Sequence, residues 1–193
     1  MAFRGPEQVS VSAFNTRTHV AIAVWEWPSY FDPETKAKGI RLEWSKWRRP
    51  DPQTAPSAAK AAGLYMICTM SKMAAEKRGY ADAMMLDWRG YVAEATGANV
   101  FFVQDGVIHT PPVDAILDGI TRQTVIEMAR AKGIEVKVRY IRPEELSGFT
   151  ECFLTGTAAE VTPVAEIGEY RFTPGALSLG LMEDYGRLVR GLS

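Results

Sequence analysis

The chain has 193 residues, enough for one large domain or two small ones, and 22 Lys and Arg against 23 Asp and Glu leave a net charge of −1. That near-neutrality excludes the basic face of a nucleic-acid binder, and 47% hydrophobic residues exclude global disorder. No apolar run approaches the roughly 20 residues of a membrane span, the first residues lack a secretory signal, and Cys68 and Cys152 lack disulfide or zinc spacing, so a reducing cytoplasm is expected.

Thr18 to Glu26 is β-rich and almost wholly apolar and predicts a buried strand, ended by Pro28. Residues 28–39 carry two prolines and several charges and read as a surface loop. Ile40 to Trp44 alternates like a short strand, and 48–57 is a second proline-rich connector, which places a domain boundary between about 28 and 54. Ser57 can cap a helix running to Arg78, with Gly79 after its end. Short strands follow at 83–86, 91–93 and 99–103, and Asp105-Gly106 predicts a hairpin turn into 107–109. A helix over 122–132 stops at Gly133, 134–140 alternates as a strand with one solvated face, 151–155 is another strand, and a last helix covers 176–189. Mixed strands and helices without clean strand–helix–strand repeats make the class α+β.

Four places carry chemistry. Lys60 lies among alanines at the expected helix start, where partial desolvation would suit an amine nucleophile; the alternative is a lysine reaching from a helix end to water. Gly119-Ile120-Thr121 opens a helix, either as an ordinary threonine cap or as an anion site built from free N–H groups and a hydroxyl. Thr155-Gly156-Thr157-Ala158-Ala159 follows a strand, either as a plain turn or as a loop whose N–H groups face a phosphate or carboxylate. Glu94 stands among small and apolar neighbours, as surface charge or as the partner of a protonated ring nitrogen. Together these supply an amine, an acid and two anion-cradling turns, the set pyridoxal phosphate requires. No His, Cys or acidic cluster has metal-ligand spacing, and His19 and His109 read as structural.

Ser57-Ala58-Ala59-Lys60, Gly90-Tyr91-Val92-Ala93-Glu94, Gly119-Ile120-Thr121-Arg122 and the run from Gly156 to Val164 resemble the class IV, or fold type IV, pyridoxal-phosphate aminotransferases, and most closely their branched-chain amino acid members. The resemblance covers nearly the whole chain, including Trp25-Glu26-Trp27-Pro28. It implies that Lys60 forms the Schiff base and moves the proton, and that Glu94 pairs with the pyridine nitrogen. It also implies that Tyr65 bonds the ring hydroxyl and that Gly119, Ile120, Thr121, Gly156 and Thr157 surround the phosphate. Thr157 and Ala158 match the backbone that holds the substrate carboxylate, and Trp27 matches an aromatic wall of the side-chain pocket.

The implied reaction moves the amino group of leucine, isoleucine or valine to 2-oxoglutarate in a homodimer or larger homo-oligomer. The resemblance begins inside the family's small N-terminal domain, so 1–27 reads as a remnant of it, 28–53 as the interdomain linker and 54–193 as the large cofactor-binding domain. The phosphate-clamping arginine of the family falls before Met1, which implies a shortened form with impaired activity. Many members carry an acid where this chain has Ala98. Other enzymes of the same fold, D-amino-acid aminotransferase and aminodeoxychorismate lyase, and a non-catalytic remnant are the alternatives.

Overall fold

The computed structural model describes residues 1–27 and 32–192. Two short strands, β1 (Ala2–Arg4) and β2 (Thr18–Val20), pair antiparallel with each other. Every residue of both is exposed. The buried strand expected over 18–26 is therefore not what forms: the strand ends at Val20, and Ile22, Val24 and Trp25 stay exposed in irregular chain. Apolar sequence alone does not bury a strand; a second layer must cover it, and β1 supplies only an edge.

The loop expected over 28–39 contains a helix, α1 (Pro33–Lys38). Asp32 caps it, its carboxylate accepting from the Thr35 amide at 2.9 Å, and Gly39 ends it. The Pro28 stop lies outside the described residues.

Beyond α1 the strands are β3 (Ile40–Trp44), β4 (Asp82–Leu86), β5 (Val92–Ala95), β6 (Asn99–Gln104), β7 (Val107–Thr110), β8 (Val136–Val138), β9 (Glu151–Gly156), β10 (Glu160–Ile167) and β11 (Tyr170–Arg171). Six of them close on themselves. β3, β4, β5 and β6 are neighbours in order, β6 pairs with β9, β9 with β10, and β10 returns to β3. The result is a small barrel with β7 and β8 extending from β6 and β11 from β10. β3 thus lies inside the sheet, between β10 and β4.

Side chains alternate across this barrel as the two-residue period of a strand requires. Ile40, Leu42, Met84, Val100, Phe102, Cys152, Leu154 and Val164 form one buried cluster, closed by Leu146 from the short 3-10 helix Pro143–Gly148 and Phe149 at its end. Phe101, Val103, Phe153 and Val161 point the other way. They pack against α3 (Ile120–Ala131) and α4 (Ala176–Val189) through Val125, Ile126, Leu181 and Tyr185. The β6 sequence is nearly continuous in apolar residues because both of its faces are covered.

The helix expected over 57–78 begins later, as α2 (Tyr65–Glu76), after a single turn at Ala62–Leu64. The Ser57 hydroxyl is spent on the Asp114 carbonyl at 3.0 Å, so it does not cap a helix there. The strand expected over 134–140 is only β8, parallel to β7.

Candidate functional site

One rim of the barrel collects the chemistry. Glu94 on β5 is register partner to Asn99 on β6, which sets both side chains together. Glu94 is 6% exposed. Its Oε1 forms an ion pair with Arg49 Nε at 3.1 Å and accepts from the Leu117 amide at 3.3 Å, and its Oε2 accepts from Asn99 Nδ2 at 3.0 Å. Asn99 Nδ2 also donates to the Leu117 carbonyl at 2.8 Å. Burial pushes the Glu94 carboxyl up to about 7, against the opposing pull of Arg49, the Leu117 amide and Lys60. A carboxyl held there can keep or release a proton near neutral pH.

Arg49 carries no sequence signal beyond its place in a proline-rich connector, yet it is 5% exposed and central to this wall. Its backbone amide donates to the Leu86 carbonyl, and its guanidinium reaches Cys68 Sγ at 3.4 Å as well as Glu94. Asn99 and Arg49 are the site residues that sequence reasoning missed. Only their polarity inside apolar or structured surroundings could have flagged them.

A cavity of about 280 Å³ opens on this wall. Every residue expected around a cofactor lines it: Lys60, Tyr65, Glu94, Gly119, Ile120, Thr121, Gly156 and Thr157. Lys60 sits in the irregular segment before α2 and is exposed, so of the two readings of this residue the one that reaches to water is what forms. The start of α3 supplies N–H groups. Gly119 precedes its first residue, and the first turn of a helix has no internal acceptors for its amides. A Cβ at Gly119 would collide with Asn99 Oδ1, so a larger residue here must displace the Asn99 amide or the helix start. Thr121 is buried, and its hydroxyl lies 3.3 Å from Tyr185 Oη, where either group can be the donor. The helix start therefore offers its backbone amides, with this hydroxyl beside them.

The second turn, Gly156 to Ala159, joins β9 to β10. Thr157 is exposed and lines both this cavity and an adjoining one of about 660 Å³, whose wall includes Ala158. Lys60, Tyr65 and Ala98 also lie on both, so the two chambers meet at these residues. Trp27 lines neither; it is 53% exposed and sits against Trp25 with ring centroids 5.3 Å apart.

The family described as Amino-transferase class IV matches residues 1–167. The chain belongs to the class IV aminotransferases. Among similar members, a probable branched-chain-amino-acid aminotransferase of Rickettsia bellii is 41% identical over 191 residues, covering 97% of this chain and 65% of its own length. The branched-chain aminotransferase of the archaeon Thermoproteus uzoniensis, solved with norvaline, superposes with a TM-score of 0.92 at 39% identity, over 98% of this chain and 63% of that one. The branched-chain amino acid aminotransferase of Thermobaculum terrenum, solved in its PLP-bound holo-form, gives 0.85 at 30% identity, over 100% and 63%. The chain therefore spans somewhat under two thirds of the length of these relatives, and its α+β barrel is the type IV aminotransferase fold.

Proposed function

We propose that this chain binds pyridoxal phosphate and serves branched-chain amino acid transamination, with leucine, isoleucine or valine as donor and 2-oxoglutarate as acceptor. The observation that carries the reading is the convergence of one amine, one buried carboxyl and two N–H-bearing turns on a single cavity of about 280 Å³. That donor set fits the group: Lys60 suits its aldehyde, Glu94 its ring nitrogen, and the amides of Ile120, Thr121 and Thr157 its phosphate. The branched-chain aminotransferases among its relatives support the substrate class.

When bound, pyridoxal phosphate supplies a carbonyl that condenses with amines and a ring that draws electron density from the carbon alongside. The protein's own residues do the rest. Lys60, at the junction of the two chambers, takes the proton from the substrate Cα and can return it to a neighbouring carbon. Glu94 would keep the ring nitrogen protonated, and its ion pair with Arg49 and the hydrogen bonds from the Leu117 amide and Asn99 fix its orientation. Tyr65 lines both chambers and would bond the ring hydroxyl. Thr157 and Ala158 line the adjoining chamber, where their backbone would hold a substrate carboxylate.

Association into a homodimer is part of the proposal. Its support is the apolar surface of the first 27 residues, where Phe3, Val20, Ile22, Val24 and Trp25 are exposed. Among the described residues no helix is long and apolar enough to cross a membrane. We place the chain in the cytoplasm, with Cys68 and Cys152 as free thiols.

Titration with pyridoxal phosphate tests the reading. The expected result is saturable visible absorbance in the 193-residue chain that is absent in Lys60→Ala, together with slow leucine-dependent formation of glutamate from 2-oxoglutarate. Absence of any saturable spectral change would overturn it.

A further inference from the structure

The turn proposed to hold phosphate and substrate carboxylate ends at a residue in an unfavourable conformation. Gly156 and Glu160 are register partners across β9 and β10, so Thr157, Ala158 and Ala159 form a three-residue connection. Such a connection commonly closes with a residue in the left-handed region, and glycine is the residue that adopts it freely. Here the left-handed residue is Glu160, the first residue after the connection, with φ +54°. Asp105, at a hairpin tip, is the other non-glycine residue of this kind among the described residues.

The Glu160 side chain is anchored at both oxygens. Oε2 accepts from Lys36 Nζ at 3.1 Å, and Oε1 accepts from Arg190 Nη2 at 2.8 Å. Lys36 lies on α1, and Arg190 caps the end of α4. Two elements remote in sequence are thereby tied to the last residue of the turn. Burial pushes the Glu160 carboxyl up, but the bonds from Arg190 and Lys36 outweigh it and hold the group below its usual value. Next to it, the Thr162 hydroxyl donates to the Ala159 carbonyl at 2.6 Å. A strained backbone retained where a glycine would relax it indicates that the side chain does something a glycine cannot.

We propose that Glu160 is a positioning residue: its clamp by Lys36 and Arg190 fixes the direction of the Thr157 and Ala158 amides toward the bound anion. It acts through the turn and touches neither cofactor nor substrate. The proposal rests on the functional reading above, because it assigns the turn an anion to hold.

The discriminating variant is Glu160→Gly, which removes the clamp while relieving the backbone. Glu160→Gln keeps the size and removes the charge. Three quantities are read in the 193-residue chain: melting temperature, amide hydrogen exchange across 157–159, and affinity for pyridoxal phosphate. We expect Glu160→Gly to melt no lower than the parent, to exchange faster at 157–159 alone, and to bind pyridoxal phosphate about three- to tenfold more weakly. Glu160→Gln shifts both local readouts in the same direction by less. Parental exchange and affinity in Glu160→Gly would overturn the proposal. So would a fall in melting temperature with faster exchange throughout the barrel, which is the mark of a merely structural residue. If the parent itself binds no pyridoxal phosphate, the functional reading fails while the exchange at 157–159 still decides the role of Glu160.

Discussion

The two walls of the site are built in opposite ways. The Glu94 wall is dry and fully wired: a buried carboxyl, a buried guanidinium and a buried amide satisfy one another across β5, β6 and the segment at 49. The facing wall is open. Lys60 and Thr157 are exposed, Ile120 is 81% exposed, and the proposed anion donors are backbone amides at a helix start and a turn. The difference teaches where each kind of chemistry can be placed. Tuning a carboxyl needs burial and fixed partners, whereas gripping an anion needs N–H groups that water, substrate and cofactor can reach.

Breaking the dry wall should have the largest effect. Arg49→Met leaves Glu94 buried without its cation and should cost about 3–5 kcal/mol of unfolding free energy, measured by denaturant titration. A loss below about 1 kcal/mol would show that the wall is not organised by this pair.

The pH dependence sharpens the same wall. The Glu94 carboxyl is raised from 4.5 to about 7 in the folded chain. The unfolded chain therefore releases this proton first as pH rises, and the native state binds more protons between these values. The contribution to stability falls between pH 4.5 and 7 and is level outside that window, a change of about 3 kcal/mol. Glu94→Gln should flatten that part of the stability profile. An unchanged slope in the variant would assign it to other groups.

Between the walls stands Gly119. Gly119→Ala places a methyl group on Asn99 Oδ1. About 1–3 kcal/mol of stability should be lost as helix and amide separate, with weaker pyridoxal phosphate binding read by titration. At the open wall, Ile120→Ala should change stability by under about 0.5 kcal/mol and leave cofactor affinity unaltered, because only its backbone is used. A large loss of affinity would mean that the open wall is more than its amides.

Much of the barrel was legible because its signals are local. Helix α4 occupies the expected 176–189. Asp105 and Gly106 both take positive φ, 52° and 78°, the requirement of the tight hairpin that their sequence announces. β10 was hidden by Pro163, which weakens a strand reading; Pro163 is opposite Phe153, and β3 first pairs with β10 at Val164. The apolar run after Thr18 misled because burial depends on what covers a strand, which no local pattern records. At the site, Lys60, Glu94 and the two glycine turns were visible as motifs. Arg49 was not, since its role is created by the packing of α2, β5 and the 115–117 segment around it.

Reduction of the pyridoxal phosphate-loaded chain with borohydride, followed by peptide mapping, tests most directly whether these two walls enclose the cofactor. Lys60 is the amine that lines the Glu94 cavity. The account predicts the pyridoxyl group on the peptide containing Lys60, with a single label on each loaded chain, and none in Lys60→Ala. Label on Lys72 or Lys77, with Lys60 unmodified, would contradict it.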